Sequence, residues 1–153
     1  MVNVGHRGFS IVEIIIGLQV FTVLALITVP NFVKIRQVYQ VRAAAREIYS
    51  DLQNARMGAV MEDHRYRFIL VDGQTYQLHD DVNSNGAIDN GESVTTRSIA
   101  TDAPGVTLSS ATSPVTFLSD GTVLSSATIT ATKGNKTINV VVSSGGRVTV
   151  VYS

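Results

Sequence analysis

The run of apolar residues from Phe9 to Val29 constrains the fold of this chain more than any other feature. It is close to the roughly 20 residues that a helix needs to cross the hydrocarbon core of a bilayer. One carboxylate, Glu13, lies near its start. A charged side chain at the centre of a spanning helix costs about 2.5 to 3.5 kcal/mol on insertion scales, so such a residue indicates a functional site. The sequence therefore predicts a membrane-inserted helix in which Glu13 meets a positive partner.

Two other interpretations of the apolar run remain open. A secretory signal peptide has a basic start, an apolar core of about 7 to 15 residues and a small-residue cleavage site. Val23-Leu24-Ala25 resembles such a site, but the run is longer than that core and helical periodicity continues beyond it. A plain membrane anchor is the second alternative, and it leaves Glu13 without a role.

The residues before the run carry a family resemblance. His6-Arg7-Gly8, followed by Phe9 and then Glu13, resembles the processing site of type IV pilins and type II secretion pseudopilins. The resemblance implies that the prepilin peptidase cuts after Gly8 and methylates the new amino terminus at Phe9. It also implies that Glu13 pairs with the terminal amine of a neighbouring subunit during filament assembly.

The same resemblance implies a location and partners. The precursor is expected to cross the inner membrane once, with its head in the periplasm, and then to join a periplasmic pseudopilus or an extracellular pilus. Its expected partners are the prepilin peptidase, other pilin or pseudopilin subunits and the inner membrane, with secreted cargo or DNA as further candidates. No cofactor is required by this interpretation.

Length and composition limit the kind of domain that can lie beyond the apolar run. In a chain of 153 residues, about 100 remain for one small domain with its own core. The formal net charge is zero and 16% of the residues are charged, so the overall charge does not indicate a nucleic-acid-binding protein. The chain has no cysteine, which excludes disulfides, cysteine metal sites and thiol nucleophiles.

Beyond Pro30 the pattern becomes amphipathic, and this change predicts that the helix continues outside the bilayer. Apolar residues recur at steps of three and four, which is the spacing of one helical stripe. The stripe extends over about three heptads, near the lower limit for a coiled-coil seam, so packing on a sheet is the favoured interpretation. Its members are Val38, Val41, Ala45, Ile48, Leu52, Ala55 and Ala59.

From Arg65 onward the chain predicts β-strands rich in Val, Ile, Thr and Tyr. Asp72-Gly73, Asp120-Gly121 and Gly145-Gly146 separate strand-like runs and are expected to supply the positive φ angles of tight hairpins. The Ser/Thr-rich stretch 107–113 predicts exposed loops or edge strands. The predicted strands are Tyr66–Val71, Thr75–His79, Val94–Ile99, Val115–Leu118, Thr128–Ala131, Thr137–Val142 and Arg147–Tyr152.

The predicted fold class is α+β: a long N-terminal helix, apolar in its first half and amphipathic in its second, packed on a mostly antiparallel β-sheet head. The predicted organisation is a leader at 1–8, a transmembrane and filament-core helix at 9–30, an amphipathic continuation at 31–64 and a β-rich head at 65–153. The helix end Leu52-x-x-Ala55-Arg56, leading into a strand at 65–70, resembles the GspH/FimT group of minor pilins and pseudopilins.

A calcium loop is the second chemical feature that the sequence predicts. Residues 81–92 match the twelve-residue EF-hand formula, with a glycine, Gly86, at its sixth position. The flanking residues predict strands rather than helices, so the alternative is a polar turn that needs no metal. The expected ligands of a Ca²⁺ ion are Asp81, Asn83, Asn85, the Ala87 carbonyl, Asp89 and Glu92.

Other candidate sites are weaker. Arg147 follows Gly145-Gly146 and matches half of a Gly-Arg-x-Arg motif that the resemblance associates with DNA-binding minor pilins, since Thr149 replaces the second arginine. His64 and His79 have no neighbouring partner at metal-ligand spacing. No nucleophile motif or phosphate loop is present, so the sequence predicts a structural protein rather than an enzyme. A membrane-anchored periplasmic domain unrelated to pilins remains the other alternative.

Overall fold

The computed structural model describes residues 10–152, without the side chains of residues 27–31, 33 and 34. The predicted leader and its cleavage position, Gly8 and Phe9, lie outside the described residues. One long helix, α1 (Ile11–Glu62), is followed by eight strands. The chain divides into two compact units, residues 1–36 and 37–153, and each is described separately.

The described part of the first unit is the N-terminal portion of α1. Its large apolar side chains are exposed, including Ile11, Leu18, Phe21 and Leu26. No helical stretch among the described residues combines the length and the apolar character that a bilayer crossing requires.

The second unit contains the rest of α1 and two antiparallel sheets. In the first sheet the order is β3-β2-β1-β5, and in the second it is β4-β6-β7-β8. The first sheet is formed by β1 (Arg65–Leu70), β2 (Thr75–Asp81), β3 (Val94–Ser98) and β5 (Val115–Phe117). The second is formed by β4 (Thr107–Ser110), β6 (Ala127–Lys133), β7 (Lys136–Val142) and β8 (Val148–Tyr152).

One face of α1 belongs to the core of this unit, as the sequence predicts. Val38 of the predicted stripe is half-buried, and Ala44, which was not predicted, is buried as well. The stripe joins a buried cluster made largely of strand residues, so it packs on sheet residues and not on a second helix. The buried helix residues are Val41, Ala44, Ala45, Ile48, Leu52, Ala55 and Ala59.

A buried polar contact fixes α1 on the first sheet. Tyr76 of β2 is fully buried, stacks on Phe68 with ring centroids 4.8 Å apart, and donates a hydrogen bond of 2.7 Å to Asp51 of α1. Arg97 of β3 lies 3.2 Å from the same carboxylate. The buried Asp51 is therefore partnered on both sides, as a buried charge must be.

The turns confirm two of the three glycine predictions. Gly121 has a φ of 78° and Gly146 a φ of 73°, and both lie in the left-handed region that favours glycine. Gly73 does not have a positive φ, so that prediction was wrong. Asp72 stabilises this turn instead, since its side chain accepts hydrogen bonds of 2.7 Å from the N–H groups of Gln74 and Thr75.

The predicted strands are all present, with ends shifted by a residue or two. The stretch 107–113, predicted as loops or edge strands, contributes β4 at the edge of the second sheet. Leu108 of this strand is buried while Thr107 and Ser109 are exposed. This alternation is the pattern of a strand with one face on the core.

Candidate functional site

Glu13 lies in the first turn of α1, where the helix dipole favours a negative charge. Its side chain is exposed, and so are those of its neighbours Ile11, Val12 and Ile14. Among the side chains that the structure describes, none forms an ion pair with its carboxylate. An exposed carboxylate surrounded by exposed apolar side chains is a group that another chain can contact.

The 81–92 loop connects β2 to β3, so strands flank it on both sides as the sequence predicts. Asp81 is fully buried at the base of the loop, and its two carboxylate oxygens accept the Gly86 N–H at 3.2 and 3.1 Å. Gly86 has a φ of 79°, which makes the sharp turn that the EF-hand formula requires at its sixth position.

Two of the predicted ligands donate hydrogen bonds to one oxygen of a third. The side-chain amides of Asn83 and Asn85 donate to the same carboxylate oxygen of Asp89, at 2.9 and 2.6 Å. The hydrogen bond from Asn83, and after it the one from Asn85, holds the pKa of Asp89 below its usual range. The loop therefore directs two amide N–H groups towards Asp89.

Glu92 closes the loop from its other end. Its carboxylate accepts from His79 Nε2 at 2.8 Å, from the Asp89 N–H at 3.1 Å and from the Asn83 N–H at 3.4 Å. The hydrogen bond from His79 is the main reason that the pKa of Glu92 is lowered. Only 4% of this side chain is exposed, so His79 holds the last predicted ligand in a defined position.

Two arginines of β1 donate hydrogen bonds to backbone carbonyls of the loop. Arg65 donates to the Ser84 carbonyl at 2.8 Å, and Arg67 donates to the Gly86 carbonyl. Both carbonyls belong to positions that the calcium formula does not use, so the Ala87 carbonyl is not occupied by these guanidinium groups.

His64 and His79, which have no neighbouring partner at metal-ligand spacing in the sequence, both contact acidic side chains in the fold. His79 contacts Glu92, and His64 contacts both Glu62 and Asp80. Among the described residues, Glu62, His64 and Asp80 each place one possible ligand atom within 4.8 Å of the other two. The three acids of the 81–92 loop are not grouped as closely. The antiparallel register, which sets Arg65 opposite Asp81, brings these distant residues together.

Arg147 lies in the turn before β8, and its side chain is exposed. It lines an open groove between α1 and β8 together with Tyr49, Gln53 and Tyr152. Among the described residues, no second arginine lines this groove. Arg147 is thus an exposed cation in this groove.

The sequence also missed the role of Arg56. Its Nε donates to the Gly121 carbonyl at 3.0 Å, and this carbonyl lies directly against Gly146. Arg56, near the end of α1, therefore bonds to the turn after β5, and Gly146 of the turn before β8 packs against the carbonyl that accepts this bond. Leu52 and Ala55 of the Leu52-x-x-Ala55-Arg56 pattern are buried, but the pattern does not indicate the contact of Arg56 with Gly121, 65 positions away.

Comparison with known proteins identifies the family. The model of GspH, a type II transport protein, matches residues 44–146, which is about two thirds of the chain. The chain belongs to the GspH family. No curated protein matches it in sequence.

Solved structures with the same fold include proteins of two bacteria. The type IV minor pilin FimU of Pseudomonas aeruginosa, in two crystal forms, is 20% identical, with TM-scores of 0.54 and 0.57. The match covers 72% of this chain and 91% or 87% of FimU. The minor pseudopilin EpsH from the type 2 secretion system of Vibrio cholerae is 14% identical with a TM-score of 0.58, over 74% of this chain and 97% of EpsH.

Membership in the GspH family establishes the general function. The protein is a minor pilin or pseudopilin of a type II secretion or type IV pilus system, a structural subunit and not an enzyme. Other pilin subunits are its partners, and its place is the membrane or the pilus. The α+β fold, a long helix packed on antiparallel sheets, is confirmed.

Proposed function

We propose that this GspH-family subunit is cleaved after Gly8, methylated at Phe9, and assembled into a type II secretion pseudopilus through Glu13. The observation that supports this most directly is the exposed Glu13 carboxylate in the first turn of α1, among exposed apolar side chains. Burying those side chains against other subunits would remove Glu13 from water. A buried carboxylate needs a positive partner, and the new amino terminus of a neighbouring subunit is one.

Mass spectrometry of the full chain purified from membranes tests the processing step. We expect a mature chain that begins at Phe9 and carries one added methyl group on its terminal amine. A chain that still begins at Met1, or that begins near Leu26, would contradict the proposal. Co-expression with and without the prepilin peptidase is the control, because the cut should occur only when the peptidase is present.

Assembly into a type IV pilus is the alternative within the same family. DNA binding through Arg147 stays a prediction of the partial motif, and a single exposed arginine contributes little of the affinity that phosphate contacts and counterion release supply. A gel shift with the wild type and with Arg147→Ala tests the DNA-binding alternative. No salt-dependent shift in the wild type would remove the DNA-binding alternative.

Calcium binding by the 81–92 loop is a second proposal. Ca²⁺ prefers six to eight oxygen ligands at about 2.3 to 2.6 Å, and the loop offers carboxylates at its first, ninth and twelfth positions. Asp81 at one end is buried, and Glu92 at the other is held by His79. A calcium ion bound by Asp81, Asp89 and Glu92 would take the place of the Asn83 and Asn85 amide N–H groups that now donate to Asp89. It would tie the end of β2 to the start of β3.

Thermal unfolding with and without calcium tests this proposal. Because a ligand that binds only the folded state stabilises it, calcium at a hundred times its dissociation constant should add about 2.7 kcal/mol to the free energy of unfolding. Excess chelator should reverse the gain, and Glu92→Gln should abolish it. Glu62→Gln is the matched control, since Glu62 lies outside the loop and should leave the calcium response unchanged. A wild type whose Tm does not respond to calcium would contradict the proposal.

A further inference from the structure

The cluster of Glu62, His64 and Asp80 has a chemistry that neither filament assembly nor the calcium loop uses. Glu62 is the last residue of α1, His64 immediately precedes β1, and Asp80 lies near the end of β2. One ligand atom from each side chain lies within 4.8 Å of the other two. His64 and Asp80 are largely buried, while the Glu62 side chain is 51% exposed. The cluster is thus accessible to an ion from solvent on one side.

The tautomer of His64 determines what the cluster can bind. His64 Nδ1 lies 2.9 Å from the backbone carbonyl oxygen of Glu62. A carbonyl oxygen can only accept, so Nδ1 carries the proton and donates it. In the neutral ring, Nε2 therefore has a lone pair and no proton. Metal-binding histidines usually have this arrangement, in which the other ring nitrogen donates to a carbonyl or carboxylate.

Nε2 faces two carboxylates. It contacts one oxygen of Asp80 and lies 3.4 Å from an oxygen of Glu62. The negative charge of the two carboxylates can be offset here either by a proton on the imidazole or by a bound cation. Tyr66 holds one of these carboxylates in place, because its hydroxyl donates to the same Glu62 oxygen at 2.8 Å and its ring stacks on His64 with centroids 5.5 Å apart.

We propose that Glu62, His64 and Asp80 bind a divalent transition-metal ion of the zinc type. An imidazole nitrogen with two carboxylate oxygens is a ligand set that Zn²⁺ accepts, whereas Ca²⁺ prefers oxygen alone. Three protein ligands leave a fourth position for water. The ion joins the end of the helix to the first two strands of the sheet. The proposal concerns the head and does not depend on processing or on Glu13.

The test uses the full chain in detergent micelles, freed of metal and then saturated with calcium so that the 81–92 loop is occupied. Zn²⁺ is titrated by calorimetry, and Co²⁺ is titrated by visible absorption, which reports the coordination of the ion. We expect one bound ion per chain. Loss of one ligand should weaken binding by at least about tenfold, the lower end of what the loss of a supporting hydrogen bond costs a metal site. Glu62→Gln, His64→Ala and Asp80→Asn should all show this loss.

Two further variants distinguish metal binding from a protonated histidine paired with the acids. Tyr66→Phe keeps the ring and removes only the hydroxyl that orients Glu62, so it should lower the affinity for zinc by about tenfold. Glu92→Gln removes a ligand of the calcium loop and should leave zinc affinity unchanged. Circular dichroism of Glu62→Gln, whose changed side chain is exposed, checks that the fold is intact. The proposal would be overturned if the wild type bound neither zinc nor cobalt, or if His64→Ala bound them with the same affinity as the wild type. His64 would then form only an ion pair with the two acids.

Discussion

Gly146→Ala should destabilise the head by about 3 kcal/mol and lower its Tm by about 10 °C. Gly146 has a φ of 73°, a conformation that costs an alanine about 1 to 2 kcal/mol. A methyl group at this position would also stand 2.9 Å from the Gly121 carbonyl carbon and closer still to its oxygen. That carbonyl cannot move freely, because it accepts the hydrogen bond of Arg56.

The adjacent glycine supplies the matched control. A methyl group on Gly145 would meet no atom within 4 Å, and Gly145 has no positive φ. Gly145→Ala should therefore change the free energy of unfolding by less than about 1 kcal/mol. Thermal unfolding of both variants, followed by circular dichroism, makes the comparison. Equal Tm values for the two would show that the contact between Gly146 and Gly121 does not limit the fold.

Glu13→Ala should reduce incorporation into filaments by about a hundredfold. If the carboxylate is buried against the terminal amine of a neighbouring subunit, its removal leaves that amine without a partner, which costs about 3 kcal/mol or more. Every 1.4 kcal/mol is a factor of ten in an equilibrium constant. The measurement is the fraction of the subunit found in sheared filaments, relative to the fraction that stays in the membrane.

Two controls separate assembly from processing. The mass of the Glu13→Ala chain should show normal cleavage after Gly8, so that a loss from filaments is a failure of docking. Gln19→Leu changes another exposed polar residue of the same helix and should assemble like the wild type. Normal incorporation of Glu13→Ala would exclude the proposed pairing, and a loss in both variants would assign the effect to the helix surface as a whole.

Most of the fold could be predicted because its elements leave a local pattern. The stripe of α1 was visible as apolar residues three and four apart, and one face of the helix is buried as that spacing requires. The strands were visible as β-branched runs between turn residues. The stretch 107–113 was less clear, because a Ser/Thr-rich edge strand with Leu108 as its one buried residue differs little from an exposed loop. Its pairing with β6 decides the matter.

The candidate sites divide in the same way. The 81–92 loop could be recognised because its ligands follow one another along twelve residues. The cluster at His64 could not, since Asp80 is 16 positions away and meets it only through the register of β1 and β2. The contact of Arg56 with Gly121 is 65 positions apart, and no local pattern encodes it.

By itself, the sequence determined the leader motif, the position of Glu13, the helix, the strands and the calcium formula. Each of these depends on residue type and on spacing within a few turns or one loop. Only the tertiary structure decided that His64 meets two carboxylates and that Arg56 bonds to the turn at Gly121. It also decided that Asp72, and not a left-handed glycine, makes the first hairpin turn. The reason is physical: contacts between distant residues are set by strand register and chain reversal, which depend on the packing of the whole core.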